Sequence, residues 1–341
     1  MHPPGSASVS AIPDAAPRHG ADLIRASRDF EDEHRFTSWR LLLETLLALS
    51  ACLYLVFYFQ SWPLQVLAGM LAGLVQVRLF IFYHDALHGA IFRRDPVGQG
   101  VMSAVGIYLL TVRSVWQETH DHHHQNNARQ FGSLIGTYPI LSVAMEARLS
   151  PAARLRYRIA RHGLTMAAGC LTTLLGGMVI AAFVRKPRRH WGAPVAVLLQ
   201  GLAFLALGWS WGWVTAVCVL VVPLAVSMAF GAYLFYAQHN FPALKLGHRG
   251  EWTYVGAALE SSSMFEMGPL MRWFTGSIGY HHVHHLNHRI PFYRLHEAMR
   301  ALPELQQPGT TSWRLRDIRA CLALYVWDPD QERMLTYAEA R

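Results

Sequence analysis

PLQVLAGMLAGLVQVRLFIFYHDALH, residues Pro63 to His88, says the most about the architecture of this chain. From Pro63 to Tyr83 it is apolar and matches the ~20 residues that an α-helix needs to cross a bilayer. Arg78 is the one charged residue in that run, and it lies near the end that precedes His84, where its head reaches an interface. The helical register then continues into His84 and His88, which are four apart and share one side of the helix. A membrane span thus ends in two imidazoles.

On its N-terminal side, Leu41–Phe59 forms a second run of spanning length, with Glu44 inside it, joined by the short link Gln60-Ser61-Trp62-Pro63. A tryptophan in so short a link suits a membrane interface, so the two runs read as a helical hairpin. Gly100–Val112 is too short to cross and reads as an interfacial or re-entrant segment. Three further candidates lie beyond it: Gly163–Val184, Trp191–Leu207 and Trp213–Tyr236. The last two flank Gly208-Trp209-Ser210-Trp211-Gly212, an uncharged turn suited to the outer interface.

If the histidines at 84–124 and 281–285 build one site, an even number of crossings must separate them. Gly163–Val184 has Arg154, Arg156, Arg158 and Arg161 before it, and Arg185, Lys186, Arg188 and Arg189 after it. The positive-inside rule puts both its ends in the cytoplasm, so it reads as non-crossing, with Gly176-Gly177 as a place to bend. The expected fold is an all-α integral membrane protein. Its four transmembrane helices, about 41–59, 63–83, 191–207 and 213–236, form two hairpins under a cytoplasmic helical cap. Both termini are cytoplasmic. Residues 1–38 read as a polar, partly disordered segment and 39–341 as the folded unit. Within the cap, Trp313–Trp327 alternates Arg with Leu, Ile and Ala at helical spacing and predicts a surface helix.

Composition agrees with a membrane protein. Of the 341 residues 52% are hydrophobic and only 15% charged, against about 25% in soluble domains. The net charge of +8 sits in blocks beside apolar runs, which fits anionic headgroups and not nucleic acid. Cys52, Cys170, Cys218 and Cys321 are far apart with no CxxC pair, so neither a disulfide framework nor a thiolate metal site is expected.

Eleven of the 19 histidines fall in three windows, 84–88, 120–124 and 281–288. His120, His123 and His124 have the i, i+3, i+4 spacing of one helical face, and His281, His284 and His285 repeat it. His239 ends the last apolar run as His84 ends the second. These nine imidazoles are enough for two metal ions, since a single site uses three or four protein ligands. Imidazole suits Zn, Fe, Cu and Ni alike. His122, His282, His288 and His296 lie off the shared faces and read as neighbours of the site. Asp85, Glu118 and Asp121 are placed to accept from the second ring nitrogen of ligand histidines.

His84-Asp85-Ala86-Leu87-His88, His120-Asp121-His122-His123-His124 and His281-His282-Val283-His284-His285 resemble the HxxxH, HxxHH and HxxHH boxes of membrane fatty acid desaturases. The run Arg272–Tyr280, with Ile290–Leu295 beyond the third box, is similar to bacterial acyl-lipid desaturases of the Δ12 (omega-6) type. Gln238-His239 resembles their extra histidine after the last span. The likeness runs from about Leu41 to Trp327. It implies a mushroom-like fold of four spans under a cap in the bacterial inner membrane. It also implies a non-haem di-iron centre: two Fe ions held by His84, His88, His120, His123, His124, His239, His281, His284 and His285. O2 would be the oxidant, a membrane-lipid acyl chain the substrate, and a separate donor such as ferredoxin with its reductase the source of two electrons. One position departs from the pattern. Animal stearoyl desaturases carry a water-bridging Asn one turn before the last-span histidine, and Phe235 stands there.

Other oxidations share this framework. An acyl hydroxylase or acetylenic-bond former differs only in how the chain is placed, and carotenoid ketolases share the HDAxHG form of the first box, here His84–Gly89. A metal-binding transporter would put polar groups at the midplane, whereas these histidines stand at span ends. A zinc hydrolase would carry HExxH, which is absent from the sequence.

Overall fold

The computed structural model describes residues 18–129, 136–246 and 252–340. Four of its helices are long and apolar enough to cross a membrane: Arg35–Tyr58, Trp62–His88, Gly192–Trp211 and Trp213–His239. Each of the four expected runs falls on one of them. The helices overrun the apolar stretches because the backbone hydrogen-bond ladder continues into polar sequence. That overrun takes the second span through His88, and the fourth through His239. Between the third and fourth spans the expected five-residue turn shrinks to Gly212, whose φ of +91° is open to glycine and strained for other residues.

The second span is the central one. Two thirds of its apolar window (67%) is buried, against 22% for the first span and 17% for the third. Exposed Leu43, Leu47, Leu198, Leu202 and Leu205 on the outer spans give the lipid-facing surface. Gly69 and Gly73, four apart, let the fourth span approach closely. A Cβ at Gly73 would lie 2.7 Å from Val226 Cβ, so even alanine would push the two helices apart. Inside this bundle Gln76 donates to Tyr108 Oη at 2.6 Å and accepts from Ser227 Oγ. Arg78 does not extend to an interface as the sequence suggested. It is buried, donates to Thr45 Oγ1 and to the Trp273 carbonyl, and stacks on the Trp273 ring.

The short apolar segment expected at 100–112 is a helix over Pro96–Tyr108. It starts earlier because Asp95 accepts from the Val97 and Gly98 amides ahead of a proline at the first helical position. Between the second and third spans, Cys170–Ala181 is a π-helix, and the apolar stretch Cys170–Arg185 falls short of the spanning helices in length. The N-terminal segment 1–38 was expected to be partly disordered; its residues 1–17 lie outside the described residues. The remainder of that segment is ordered: Ala21–Ser27 is helical, with Leu23 buried.

The cap is not wholly helical. Met264–Glu266 pairs in parallel with Thr310–Ser312, and Leu324–Asp328 runs antiparallel to Arg333–Thr336. The helix expected over Trp313–Trp327 covers only Leu315–Ala323. Beyond it Leu324, Tyr325, Val326 and Trp327 are all buried, and a strand is the element that can bury both of its faces. Buried Arg161 fastens this strand to the spans. Its guanidinium donates to the Pro139 and Leu324 carbonyls and to Tyr236 Oη on the fourth span.

Candidate metal centre

The nine singled-out histidines come together in two groups at the cap-side ends of the spans. His84, His88, His120, His124 and His284 form one; His123, His239, His281 and His285 form the other. The helix Arg113–Asn126 serves both, because its i, i+4 pair (His120, His124) turns to the first group and His123 to the second. The short helix His281–Leu286 mirrors it: its i, i+4 pair (His281, His285) joins the second group and His284 the first. The remaining imidazoles come from the second span (His84, His88) and the fourth (His239).

Within each group the Nε2 atoms converge. In the second group they close a ring: His123 to His239 at 3.1 Å, His239 to His281 at 2.9 Å, His281 to His285 at 3.1 Å, and His285 to His123 at 3.3 Å. In the first, His84 to His120, His120 to His124 and His124 to His284 lie at 3.1, 3.0 and 3.1 Å. Each ring nitrogen has one lone pair or one proton. Four nitrogens in a closed ring can therefore satisfy two contacts, not four, by hydrogen bonding. Nitrogens about 2.0–2.1 Å from one ion, at right angles, are about 3 Å apart. A cation at each centre fits these separations.

Protonation favours the same reading. Burial pushes His120, His123, His124, His281, His284 and His285 well below the ordinary histidine value, and neighbouring imidazoles add to the shift. They are neutral, as metal ligands must be. Two of these imidazoles are oriented from behind. Asp85 Oδ1 lies 2.9 Å from His84 Nδ1, while its Oδ2 accepts from the Phe292 amide at 2.7 Å. The Ser261 carbonyl lies 3.2 Å from His239 Nδ1. Both contacts put the proton on Nδ1 and leave Nε2 for a metal.

The other acidic candidates lie elsewhere. Glu118 faces away from the imidazole groups, pairing with Lys186 at 2.6 Å and Arg189 at 3.2 Å. On this helix it is one position off the inward face, and cations from the segment after the π-helix reach it first. Asp121 is exposed. His122 is half-buried beside Asn126, whose Nδ2 donates to its carbonyl. His282 is fully buried, its Nε2 3.0 Å from the Leu305 carbonyl, and burial pulls it down to about 4. It braces the third box and joins neither group.

Two contacts lie outside the sequence reading of the site. Trp116 stacks on His120, ring centres 4.0 Å apart; its i, i+4 spacing to His120 was the available signal. His288, read as off the shared face, has its ring 4.7 Å from that of His88 and 5.1 Å from that of His124. Phe235 packs against His123 and His239.

A family model described as fatty acid desaturase matches residues 60–316, most of the chain and all three histidine boxes. The chain belongs to the fatty acid desaturase family. Among curated relatives, a fatty acid desaturase of Bacillus subtilis (strain 168) is 28% identical over 81% of this chain and 78% of its own length. A Delta(12)-fatty-acid desaturase of Vernicia fordii is 24% identical, covering 80% and 76%. An sn-1 acyl-lipid omega-3 desaturase (ferredoxin) of Nostoc sp. (strain 36) is 22% identical, covering 72% and 69%. The chain is thus an oxidoreductase of the desaturase class, built on membrane helices, with its histidine clusters positioned to bind metal.

Proposed function

We propose that the two imidazole groups hold two iron ions and that this desaturase introduces a cis double bond into the acyl chain of a membrane lipid. The single observation that carries the metal assignment is the convergence of nine histidines, without a carboxylate among them, into two groups at helix ends. The ligands are His84, His88, His120, His124 and His284 for one ion and His123, His239, His281 and His285 for the other. Bound iron, with O2, supplies oxidising power that amino-acid side chains lack. Overall, one –CH2–CH2– unit, O2, two electrons and two protons become –CH=CH– and two waters.

The protein's own task is to hold and shield. Asp85 and the Ser261 carbonyl fix ring orientation on the spans, and span helices are rigid supports for that purpose. Trp116 stacks over one imidazole face of the first group, and Phe235 packs in a T-shaped contact against the second, each shielding its neighbour from water. The acyl chain enters from the bilayer, and a separate donor, a ferredoxin with its reductase, reaches the cap from the aqueous side. The name of the Nostoc relative supports a lipid-linked chain and a ferredoxin donor, and that of the Vernicia relative a fatty acyl substrate. Positive-inside charge supports a bacterial inner membrane with the cap and both termini in the cytoplasm. The catalytic unit is residues 39–341, with 100–112 and 163–184 non-crossing.

Expression in a bacterial host that makes no dienoic acids, with a compatible donor, tests this by gas chromatography of fatty acid methyl esters. New unsaturation, lost in His124→Ala, is the expected result. Hydroxylated acids in its place, or no product from iron-loaded protein, would overturn desaturation.

A further inference from the structure

We propose that Tyr293 is a positioning residue for the five-histidine group, acting on His84 through the Phe292 amide and Asp85; this rests on the metal reading above. Both oxygens of Asp85 are engaged: Oδ1 lies 2.9 Å from His84 Nδ1, and Oδ2 accepts from the Phe292 amide at 2.7 Å. Asp85 is buried, so its carboxylate sits where that amide holds it, and the imidazole follows. Whatever fixes the backbone at Phe292 therefore aims His84. The Phe292 ring does part of this, packing edge-on against Phe82 at 4.8 Å, with the Arg78 guanidinium 5.5 Å from its centre. Apolar packing has little directionality, whereas a hydrogen bond fixes both distance and angle.

Tyr293, the next residue, supplies that bond. Its Oη accepts from the His34 amide at 3.0 Å and lies 3.2 Å from Oγ of Ser38, which is fully buried. His34 is the N-cap of the first span and its side chain makes no capping bond, so the tyrosine hydroxyl satisfies an amide that the helix leaves open. The turn is closed by the Arg294 amide, which donates to the Pro291 carbonyl at 2.7 Å. Arg294 adds a second attachment, donating to the Asp32 carbonyl and lying over the Phe30 ring. Two consecutive side chains thus tie the turn 291–294 to the residues that lead into the first span. That span contributes no histidine to either group, and it reaches the metal centre by this route.

The test uses the full chain in detergent, as wild type, Tyr293→Phe, Ser38→Ala, Asp85→Asn and the variant carrying both Tyr293→Phe and Asp85→Asn. Iron titration followed by Mössbauer spectroscopy reads each group separately, the first being the component that His84→Ala removes. Tyr293→Phe keeps the ring and loses the hydroxyl. It should weaken the first group about threefold, short of the roughly 10- to 100-fold of a direct partner, and leave the second unchanged. Ser38→Ala should act in the same direction and by less. In the double variant the tyrosine change should add nothing, because Asp85→Asn has already broken the link at one of its ends. Equal weakening of both groups, the mark of a general packing role, would overturn the proposal. So would an unchanged first group in Tyr293→Phe, or a loss that persists in full beside Asp85→Asn. Failure of the wild type to take up iron would instead sink the metal reading, before any variant is compared.

Discussion

The two imidazole groups are built from the same two cap helices but anchored to different spans. The first takes His84 and His88 from the second span, the helix most buried in the bundle; the second takes only His239, from the fourth. Their supports differ in charge as well. His84 is backed by the carboxylate of Asp85, itself fixed by the Phe292 amide, while His239 is backed by the neutral Ser261 carbonyl. A carboxylate behind an imidazole makes it a stronger donor to a cation. Two sites of similar shape are thereby made unequal, one backed by a carboxylate and with half-buried His88 among its five rings, the other wholly buried and with Phe235 against it.

The largest effect should come from disrupting each group through its span. His84→Ala and His239→Ala are each expected to abolish product and to lower iron from about two per chain to about one. Mössbauer spectra should lose a different component in each variant; loss of the same component would show that the groups are not independent. Stripping both ions with a chelator should lower the melting temperature of the cap. A site filled at a thousandfold excess over its dissociation constant contributes about 4 kcal/mol.

Asp85→Asn isolates the difference in charge. It keeps the shape but removes the carboxylate, and a loss of about 10- to 100-fold in metal affinity is expected at the first group alone. Equal weakening of both groups, measured by iron titration, would show that their supports are equivalent after all. Phe235→Ala should cost about 1 kcal/mol of stability, since the ring is only half-buried, and should alter the spectrum of the second ion but not the first. Smallest of all is Glu118→Gln. Its ion pairs with Lys186 and Arg189 are partly exposed and worth at most about 1 kcal/mol, so both groups should keep their iron.

Not every residue near the boxes reads equally well in sequence. Asp85 and Glu118 look alike there, each a carboxylate close to a box histidine. Asp85 is inside the helix bundle, where His84 and the Phe292 amide are the groups it meets. Glu118 meets Lys186 and Arg189, about seventy residues away, which no local pattern announces. Arg78 took the same course: an expected interfacial cation became a buried clamp on the Trp273 carbonyl, because the cap folds back over the span end. Trp313–Trp327 misled in another way, since helical spacing continued into residues that a strand could bury more fully.

The four spans were legible in the chain alone, because crossing a bilayer demands length and apolarity that are countable. So was the presentation of each box's histidines to one side, because helical periodicity is local. How the nine imidazoles divide came from the tertiary fold. His284 meets His124 across 160 residues, and His123 meets His239 across 116. Which imidazoles share a centre depends on how two short cap helices cross two span ends. Periodicity within one helix fixes the direction of a side chain relative to its own axis, never its partner on another.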